Sequence, residues 1–311
     1  MGRKKRFDDA LYGVSPAIRS VLERLPDKVK ESAEEIRLRT GLPVALTVGG
    51  GTVFVLENGQ ISFCLTRGLL KTEASELAES FKLLCKSSVY AHTEELKKGY
   101  IRLRGGNRAG VCGTLNENGN MSDISSLNIR IAHEVRGAAN DIVRAYKTGG
   151  LLIAGPPGSG KTTVLRDLIR QLASGECGKI YRIAVIDSRG EISGSFDGRC
   201  GNDLGAGSDV LLTADKAAGI EMAVRTMFPD IVAFDEIGNE AELKRVSESF
   251  CSGVDIITTA HAGSIADLKR RRITAALINS GAVASVALLP EIHGGTVRIV
   301  SAEELNDGVA V

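Results

Sequence analysis

The sequence predicts a two-domain α/β protein, with an N-terminal α+β domain over residues 1–145 and a domain with a mostly parallel sheet over 146–311. At 311 residues the chain is longer than one typical domain. Up to about residue 145, short strand and helix patterns are mixed and hairpin signals occur. From Gly149 onward, apolar runs alternate with helical patterns, which is typical of a parallel sheet covered by helices. A glycine-rich segment, Gly155–Thr163, lies between the first of these runs and the first helical pattern.

Helical spacing of apolar residues predicts two helices in the first domain, at 16–25 and 73–85. Between and after them, apolar segments bounded by turn residues predict strands. These segments are 43–48, 52–56, 60–65, 100–104, 109–114 and 128–131. Asn58-Gly59 predicts a type I′ hairpin, because both central positions of that turn need a positive φ. Residues 105–107 predict a second hairpin turn, and residues 116–120 a polar turn.

The strands predicted for the second domain are short apolar runs, as expected of strands buried on both faces. They are 150–154, 182–186, 231–234, 256–259 and 296–300.

Composition excludes several classes of protein. Lys+Arg 39 against Asp+Glu 38 leaves a net charge of +1, so no global field attracts nucleic acid or a membrane. Two basic runs, Arg3–Arg6 and Lys269–Arg272, are expected to be solvated tails or helix faces. The six cysteines form no C-x-x-C pair, which argues against a zinc site or disulfide framework and fits a reducing cytosol.

No apolar run approaches the ~18 residues that span a bilayer. The basic start is not followed by an apolar region, so it does not match a secretory signal. Any link to a membrane is therefore expected to be peripheral or through a partner.

The most informative segment is Gly155-Pro156-Pro157-Gly158-Ser159-Gly160-Lys161-Thr162, followed by Thr163. It fits G-x-x-x-x-G-K-[ST], the phosphate-binding P-loop, and it has the strand before it and the helix after it that the motif requires. That order places backbone N–H groups and a helix N-terminus around an anion. Lys161 would reach the β- and γ-phosphates and Thr162 would ligate Mg²⁺. The chain is predicted to bind ATP, since it has no N/T-K-x-D segment of the kind that reads guanine.

Three other strand ends carry polar groups. The run Pro229–Phe234 delivers Asp235 and Glu236, which fits a Walker B strand. Asp235 would hold the water shell of Mg²⁺, and Glu236 would orient or deprotonate the attacking water. A second run ends in Asp187 with Glu191 following, and a third ends in His261, suited to sensing a γ-phosphate. The glycine-rich segment 197–208 is expected to be a mobile loop beside the nucleotide.

Together these segments resemble the secretion ATPases of type II and type IV systems and the pilus retraction motors. The resemblance implies a RecA-like P-loop NTPase domain. It matches Asp187 with Glu191 to the acidic strand end of that group, Glu236 to the end of its Walker B strand and His261 to its histidine-containing sensor. The segment Ala223–Asp230 resembles the arginine-bearing stretch before Walker B in that group, with Arg225 as its arginine.

The whole chain, from about residue 10 to 305, resembles the stage III sporulation protein AA family of endospore-forming bacteria. Four segments carry this resemblance: Glu35–Arg39 with Pro43, Ser125–Arg130, Gly155–Thr163 and Thr258–Gly263. The chain departs from the secretion ATPases by having Asp187-Ser188 where they usually show Glu-Asp, and Asp235-Glu236 where they commonly show Gly-Glu. The general base therefore stays open among Asp187, Glu191 and Glu236.

The resemblance implies a cytoplasmic ATPase that forms a ring, a hexamer in relatives. It would energise a membrane-spanning channel or secretion apparatus during sporulation by docking on membrane proteins. An arginine supplied in trans commonly completes such a site. The candidates, each of which could also be an ordinary surface arginine, are Arg102, Arg104, Arg130, Arg189 and Arg225.

Two other classes of function stay open. The Lys269–Arg272 run is the sole support for a nucleic-acid motor or loader, so nucleic acid is not an expected partner. A nucleotide-gated scaffold with little turnover is the other alternative. The cargo and the membrane partner are not identified by the sequence.

Overall fold

A computed structural model describes residues 3–86, 88, 92–97, 99–116, 121–196, 198–291, 295–301 and 304. Its contacts divide the chain into two units. The first comprises Met1–Glu134 with Gly194–Gly201, and the second comprises Val135–Ser193 with Asn202–Val311. The predicted mixed α/β class with two sheets is confirmed.

Residues 135–145, which the sequence analysis assigned to the first domain, group with the second unit. Helix α6 (Asn140–Ala145) packs against α7 (Lys161–Ser174). Just before α6, the Ala139 N–H donates a hydrogen bond of 2.9 Å to the buried Asp167 carboxylate of α7. The pattern of apolar and polar residues does not predict this hydrogen bond, which anchors α6 to α7.

The first unit contains an antiparallel sheet in the order β4-β3-β2-β1-β7-β6-β5. Its strands are β1 (Ala33–Arg39), β2 (Ala45–Val48), β3 (Gly51–Val55), β4 (Ile61–Ser62), β5 (Tyr100–Arg102), β6 (Arg108–Leu115) and β7 (Met121–Arg130). Its helices are α1 (Arg3–Leu11), α2 (Pro16–Leu22), α3 (Asp27–Ser32), α4 (Ala74–Leu84) and α5 (Thr93–Lys97).

One face of this sheet is apolar and buried. Ile36 and Leu38 of β1, with Ile101 and Ile129 from other strands, belong to one hydrophobic core, while Arg37 between the first two is exposed. The period of two fixes this alternation. Sequence analysis did not assign β1, because its charged residues mask the apolar positions.

The first basic run fits the predicted helix face at exposed Arg3 and Lys5, but not at Arg6. It lies in α1, and Arg6 is fully buried with its guanidinium Nη2 3.3 Å from a Glu134 carboxylate oxygen. A buried arginine with a paired carboxylate satisfies the requirement that buried charges be compensated.

The hairpin at Asn58-Gly59 forms between β3 and β4, but it is not type I′. Gly59 has a φ of +82°, whereas Asn58 does not have a positive φ. The Asn58 side chain instead accepts a hydrogen bond of 3.0 Å from Gln60 N, an Asx-type contact that holds the turn in another way. Of the predicted polar turn, residues 117–120 lie outside the described residues.

The second unit contains a sheet in the order β10-β9-β11-β12-β8-β13-β14, parallel except for the β13–β14 pair. Its strands are β8 (Leu151–Gly155), β9 (Ile183–Asp187), β10 (Ser208–Leu212), β11 (Ile231–Phe234), β12 (Asp255–His261), β13 (Ser285–Leu288) and β14 (Arg298–Ser301). Its helices besides α6 and α7 are α8 (Lys216–Thr226), α9 (Glu240–Cys251), α10 (Ile265–Arg270) and α11 (Arg272–Asn279).

Alternate residues of the central strands pack into two separate cores. In β8, Leu152 and Ala154 join a core with α8, α9, α10 and α11, while Leu151 and Ile153 join one with α6 and α7. Helices therefore cover both faces, which explains why β8, β9 and β11 are buried along their full length. Strands β10 and β13 were not predicted from the sequence.

The glycine-rich segment 197–208, predicted to lie beside a nucleotide, is divided between the two units. Gly194–Gly201 groups with the first unit, where Arg6 Nη2 donates to Gly201 O at 3.5 Å. A Cβ at Gly201 would lie 2.6 Å from Gly106 N, so the close approach requires glycine there. Asp197 lies outside the described residues.

Among the described helices, none is both long and apolar enough to cross a membrane.

We expect Arg170→Met to destabilise the second unit by about 3–5 kcal/mol, because it removes one partner of a buried ion pair. Arg170 and Asp167 are 7% and 3% exposed, and two guanidinium nitrogens contact the same carboxylate oxygen at 3.0 and 2.9 Å. Urea unfolding followed by far-UV circular dichroism measures the change. The control is Arg144→Met, which removes an exposed pair with Asp141 and should cost less than about 1 kcal/mol. Equal effects would contradict the assignment of Arg170 and Asp167 as a stabilising buried pair.

Candidate nucleotide site

The P-loop motif forms the turn between β8 and α7. Gly155 is the last residue of β8 and Lys161 the first of α7. Gly158 and Gly160 have φ values of +78° and +86°, which side chains rarely tolerate. A Cβ on Gly155 would lie 2.4 Å from the Ser159 hydroxyl oxygen. The first N–H groups of α7 have no acceptor within the helix and are left for an anion.

The Lys161 ammonium is folded back onto the loop. It is 7% exposed and donates to Gly155 O at 2.9 Å, to Pro156 O at 2.8 Å and to His261 Nδ1 at 2.9 Å. Burial lowers the pKa of this lysine, and the nearby carboxylates of Asp235 and Glu236 oppose that shift. The cation is thus held by neutral acceptors. A phosphate oxygen bound in their place would give the ammonium a negatively charged partner.

His261 is positioned as the last residue of β12, directly paired with Gly155 of β8. An ammonium can only donate, so the imidazole Nδ1 that meets Lys161 is an acceptor and Nε2 carries the proton. That Nε2 lies 3.5 Å from a carboxylate oxygen of Glu236. The ring therefore connects the P-loop lysine to the end of the Walker B strand.

Asp235 joins the P-loop helix to two strands. One carboxylate oxygen accepts from Thr162 Oγ1 at 3.1 Å. The other accepts from Thr259 Oγ1 at 2.5 Å and from Glu236 N at 3.2 Å. Thr259, in the middle of β12, is fully buried and was not identified from the sequence.

Glu236 has an unusual backbone. Its φ is +30°, a rare conformation for a residue with a side chain. Its N–H also donates to Thr259 Oγ1 at 3.0 Å. Its carboxylate contacts His261 and is 44% exposed, so it is accessible to a water. Such conformations persist when their surroundings hold them in place.

Asp187 lies at the end of β9 and is 3% exposed. Its carboxylate accepts from the backbone N–H groups of Arg189, Glu191 and Ser193 at 3.4, 3.1 and 2.8 Å, and from the Ser193 hydroxyl at 2.7 Å. These bonds occupy both oxygens and favour a structural role in holding the following loop. Glu191 is half-buried in that loop.

A cavity of about 160 Å³ brings the acidic strand ends together. Its lining includes Asp187, Glu191, Asp235 and Glu236, together with Lys216 from the start of α8. Sequence reasoning missed Lys216. The available signal was Asp215 before it, which caps α8 by accepting from Ala218 N at 3.0 Å.

Within the second unit, the candidate arginines differ in position. Arg189 is exposed on the loop after β9 and lines the same cavity. Arg225 lies in the last turn of α8, shortly before β11 begins, and pairs with Glu221 at 2.8 Å. It is therefore at the amino edge of the sheet, opposite the P-loop, and does not join the site of its own chain.

In the first unit, three arginines form one row across the sheet. Arg102 pairs with Arg108, and Arg108 pairs with Arg130. Residues paired in this way project from the same face. Like charges directly opposite one another destabilise a sheet, but Arg130 also lies opposite Glu35 of β1 and Arg102 is paired with Glu95. Arg108 was missed because its strand could not be registered against its neighbours from sequence alone.

The partners of these arginines differ. Arg102 Nε donates to Glu95 Oε1 at 2.6 Å, and the Arg108 guanidinium lies 5.3 Å from the Tyr100 ring centre. Within the described part of the chain, exposed Arg130 forms no ion pair. Arg104 lies outside the row, on a short 3₁₀ turn, with its guanidinium 5.3 Å from the centre of the Tyr12 ring.

The residues present fit a magnesium nucleotide. Thr162 Oγ1 and the Asp235 carboxylate are adjacent oxygen donors of the kind that Mg²⁺ prefers. The Ser159 hydroxyl is buried with no hydrogen-bond partner in the described structure, inside the phosphate loop. Among the described residues no cluster of three His, Cys, Asp or Glu could hold a metal ion.

The family model for "Sporulation stage III, protein AA" matches residues 4–304. The "Stage III sporulation protein AA" of Bacillus subtilis (strain 168) is 35% identical over 263 residues, which cover 82% of this chain and 81% of that protein.

Two solved structures share the fold at low sequence identity. The pilus retraction motor PilT with bound ADP has a TM-score of 0.58 at 18% identity, covering 94% of this chain and 85% of that one. The ATPase DotB of Legionella pneumophila has a TM-score of 0.55 at 16% identity, covering 88% of this chain and 76% of that one.

Proposed function

We propose that this chain, which belongs to the sporulation stage III protein AA family, is an ATP hydrolase of the secretion-ATPase type. In this proposal it energises a membrane-spanning channel or secretion apparatus during endospore formation. The observation that carries the proposal is the set of contacts that joins the P-loop to the ends of β11 and β12. Thr162 meets Asp235, and Lys161 meets His261, which meets Glu236.

The proposed chemistry follows from which groups are free to act. The P-loop N–H groups and Lys161 bind the phosphates, and Mg²⁺, held through Thr162 and Asp235, neutralises phosphate charge when bound. Glu236 is the carboxylate best placed to accept a proton from the attacking water, because Asp187 and Asp235 are already engaged by several donors. His261 orients Glu236 and links it to the lysine that binds the γ-phosphate.

We further propose that the chain works as a ring, a hexamer by analogy with secretion ATPases, on the cytoplasmic side of a membrane through partner membrane proteins. The row of Arg102, Arg108 and Arg130 supports a site completed by a neighbouring copy. Closely spaced guanidinium groups on a rigid sheet suit the oxygens of a phosphate.

The Lys269–Arg272 run gives less support to the nucleic-acid alternative than its sequence suggests. Arg271 lies 3.4 Å from Asp267 and Arg272 lies 2.8 Å from Glu240, so part of its charge is compensated. Salt-dependent binding of single-stranded DNA at physiological ionic strength would restore that alternative.

We expect Lys161→Ala to remain folded and to lose ATP hydrolysis. The lysine contacts two carbonyl groups and one imidazole, and within the described residues it forms no ion pair. Phosphate release measures turnover and thermal unfolding measures folding. Exposed Lys244→Ala is the control and should behave as wild type. An unchanged rate in Lys161→Ala would overturn the P-loop assignment.

We expect Glu236→Gln to bind ATP and to hydrolyse it at least ~10²-fold more slowly, which is the usual contribution of a positioned proton acceptor. Glu191→Gln, in the same cavity, is the matched comparison and should retain most of the rate. If Glu191→Gln abolishes turnover while Glu236→Gln does not, the base is Glu191. If wild type binds ATP with a low rate that oligomerisation does not alter, the protein is a nucleotide-gated scaffold.

We expect activity to return when Lys161→Ala is mixed with a triple alanine variant of Arg102, Arg108 and Arg130. An arginine supplied in trans contributes about 10³–10⁵ in rate in other P-loop enzymes, so each variant alone should be nearly inactive. Mixed rings would contain intact P-loops facing intact arginines. Light scattering with a non-hydrolysable ATP analogue verifies that mixed oligomers form. Mixed rings without recovered activity would show that these arginines do not act in trans.

A further inference from the structure

The turn that presents Glu236 is held by a buried ion pair that has no place among the P-loop, Walker B or histidine groups. Lys216 Nζ lies 3.3 Å from a carboxylate oxygen of Glu242, and their side chains are 16% and 7% exposed. The pair connects the first residue of α8 with the first turn of α9.

Lys216 binds the carbonyl side of the turn. Its ammonium donates to Asp235 O at 3.3 Å and, at shorter range, to Glu236 O. The same ammonium lies within ion-pair distance of the Glu242 carboxylate in the first turn of α9. The N–H of Glu236 is held from the other side by Thr259 Oγ1. Both peptide groups flanking the Glu236 Cα are therefore fixed.

Glu242 binds the far end of the same turn. Its carboxylate accepts from Gly238 N at 2.7 Å and from the Asn239 side-chain amide at 2.9 Å. Asn239 in turn caps α9 by accepting from Glu242 N at 2.9 Å. A carboxylate in the first turn of a helix is favourable, so Glu242 would suit this position without any lysine.

Lys216, in contrast, is at an unfavourable place for a cation. As the first residue of α8 it sits at the positive end of the helix dipole. Its long side chain is also immobilised and largely buried, which costs conformational entropy. Neither helix stability nor solubility explains it. The carbonyl groups that it contacts belong to the two residues that carry the site's carboxylates.

We propose that Lys216, supported by Glu242, is a positioning residue that holds Glu236 in its left-handed backbone conformation and thereby directs its carboxylate toward the attacking water. This inference rests on the proposed ATP hydrolysis. Lys216 acts on the backbone of Glu236 and does not bind nucleotide.

The test compares wild type, Lys216→Met and the double variant Lys216→Met/Glu242→Gln, in which no buried carboxylate is left unpaired. The control is exposed Lys244→Met on α9. We expect Lys216→Met and the double variant to lose about 10- to 100-fold in kcat, because a displacement of about 1 Å between reacting groups can cost about 10²-fold. Their Kd for a fluorescent ATP analogue should stay within about twofold of wild type, because the contacts with the phosphates are unaltered.

Two further measurements distinguish positioning from a general structural role. In a Glu236→Gln background, Lys216→Met should cause no additional loss of kcat, because residues that act as one unit are not additive. A crystal structure of the double variant should show Glu236 with a negative φ. A φ that stays positive, or a Kd that rises together with the loss of kcat, overturns the proposal. If wild type binds ATP without hydrolysing it, the proposed function fails, and the φ of Glu236 alone then decides whether Lys216 positions it.

Discussion

The second unit depends on one constraint: four parallel strands must end at the same edge of the sheet and in fixed register. Phe234 pairs with Thr258, and His261 pairs with Gly155, so the Walker B residues, the histidine and the phosphate loop follow directly from strand pairing. A slip of one residue would turn the buried and site-facing side chains to the opposite face. The Asp235 carboxylate secures this alignment by binding both Thr162 and Thr259.

The loop that follows β9 links the two units by a second route besides residues 134–135. The chain leaves the second unit after Ser193 and re-enters it at Asn202. The two ends of this excursion are bound together, because Asn202 N donates to Ser193 O at 2.9 Å and its side chain donates to Ile192 O at 2.7 Å. Asp187 holds Ser193 through two further hydrogen bonds. A carboxylate at the edge of the candidate site thus holds Ser193, the last residue of the second unit before this excursion.

Three strained or charged groups of the second unit lie near the edge where β8, β11 and β12 end. Glu236 has a positive φ, Lys161 is a buried cation held by neutral acceptors, and Lys216 is a cation at a helix N-terminus. Each of these features opposes stability when taken alone. Proteins keep such features where a ligand or a reaction uses them, and the rest of the unit, with its two apolar cores, is regular enough to support them.

The amino-acid sequence alone determined the mixed α/β class, the P-loop between β8 and α7, and the residues at the ends of β9, β11 and β12. These are local patterns, set by periodicity, glycine spacing and strand ends. Only the tertiary structure decided that Asp187 is saturated with hydrogen bonds, that Arg6 is buried, and that Arg225 lies at the opposite edge from the P-loop. It also revealed Lys216 with Glu242, and the row that contains Arg108. Except for the bonds of Asp187, which are made within residues 187–193, those relations join residues far apart in the chain through strand register and helix packing. No local pattern encodes which distant groups will meet.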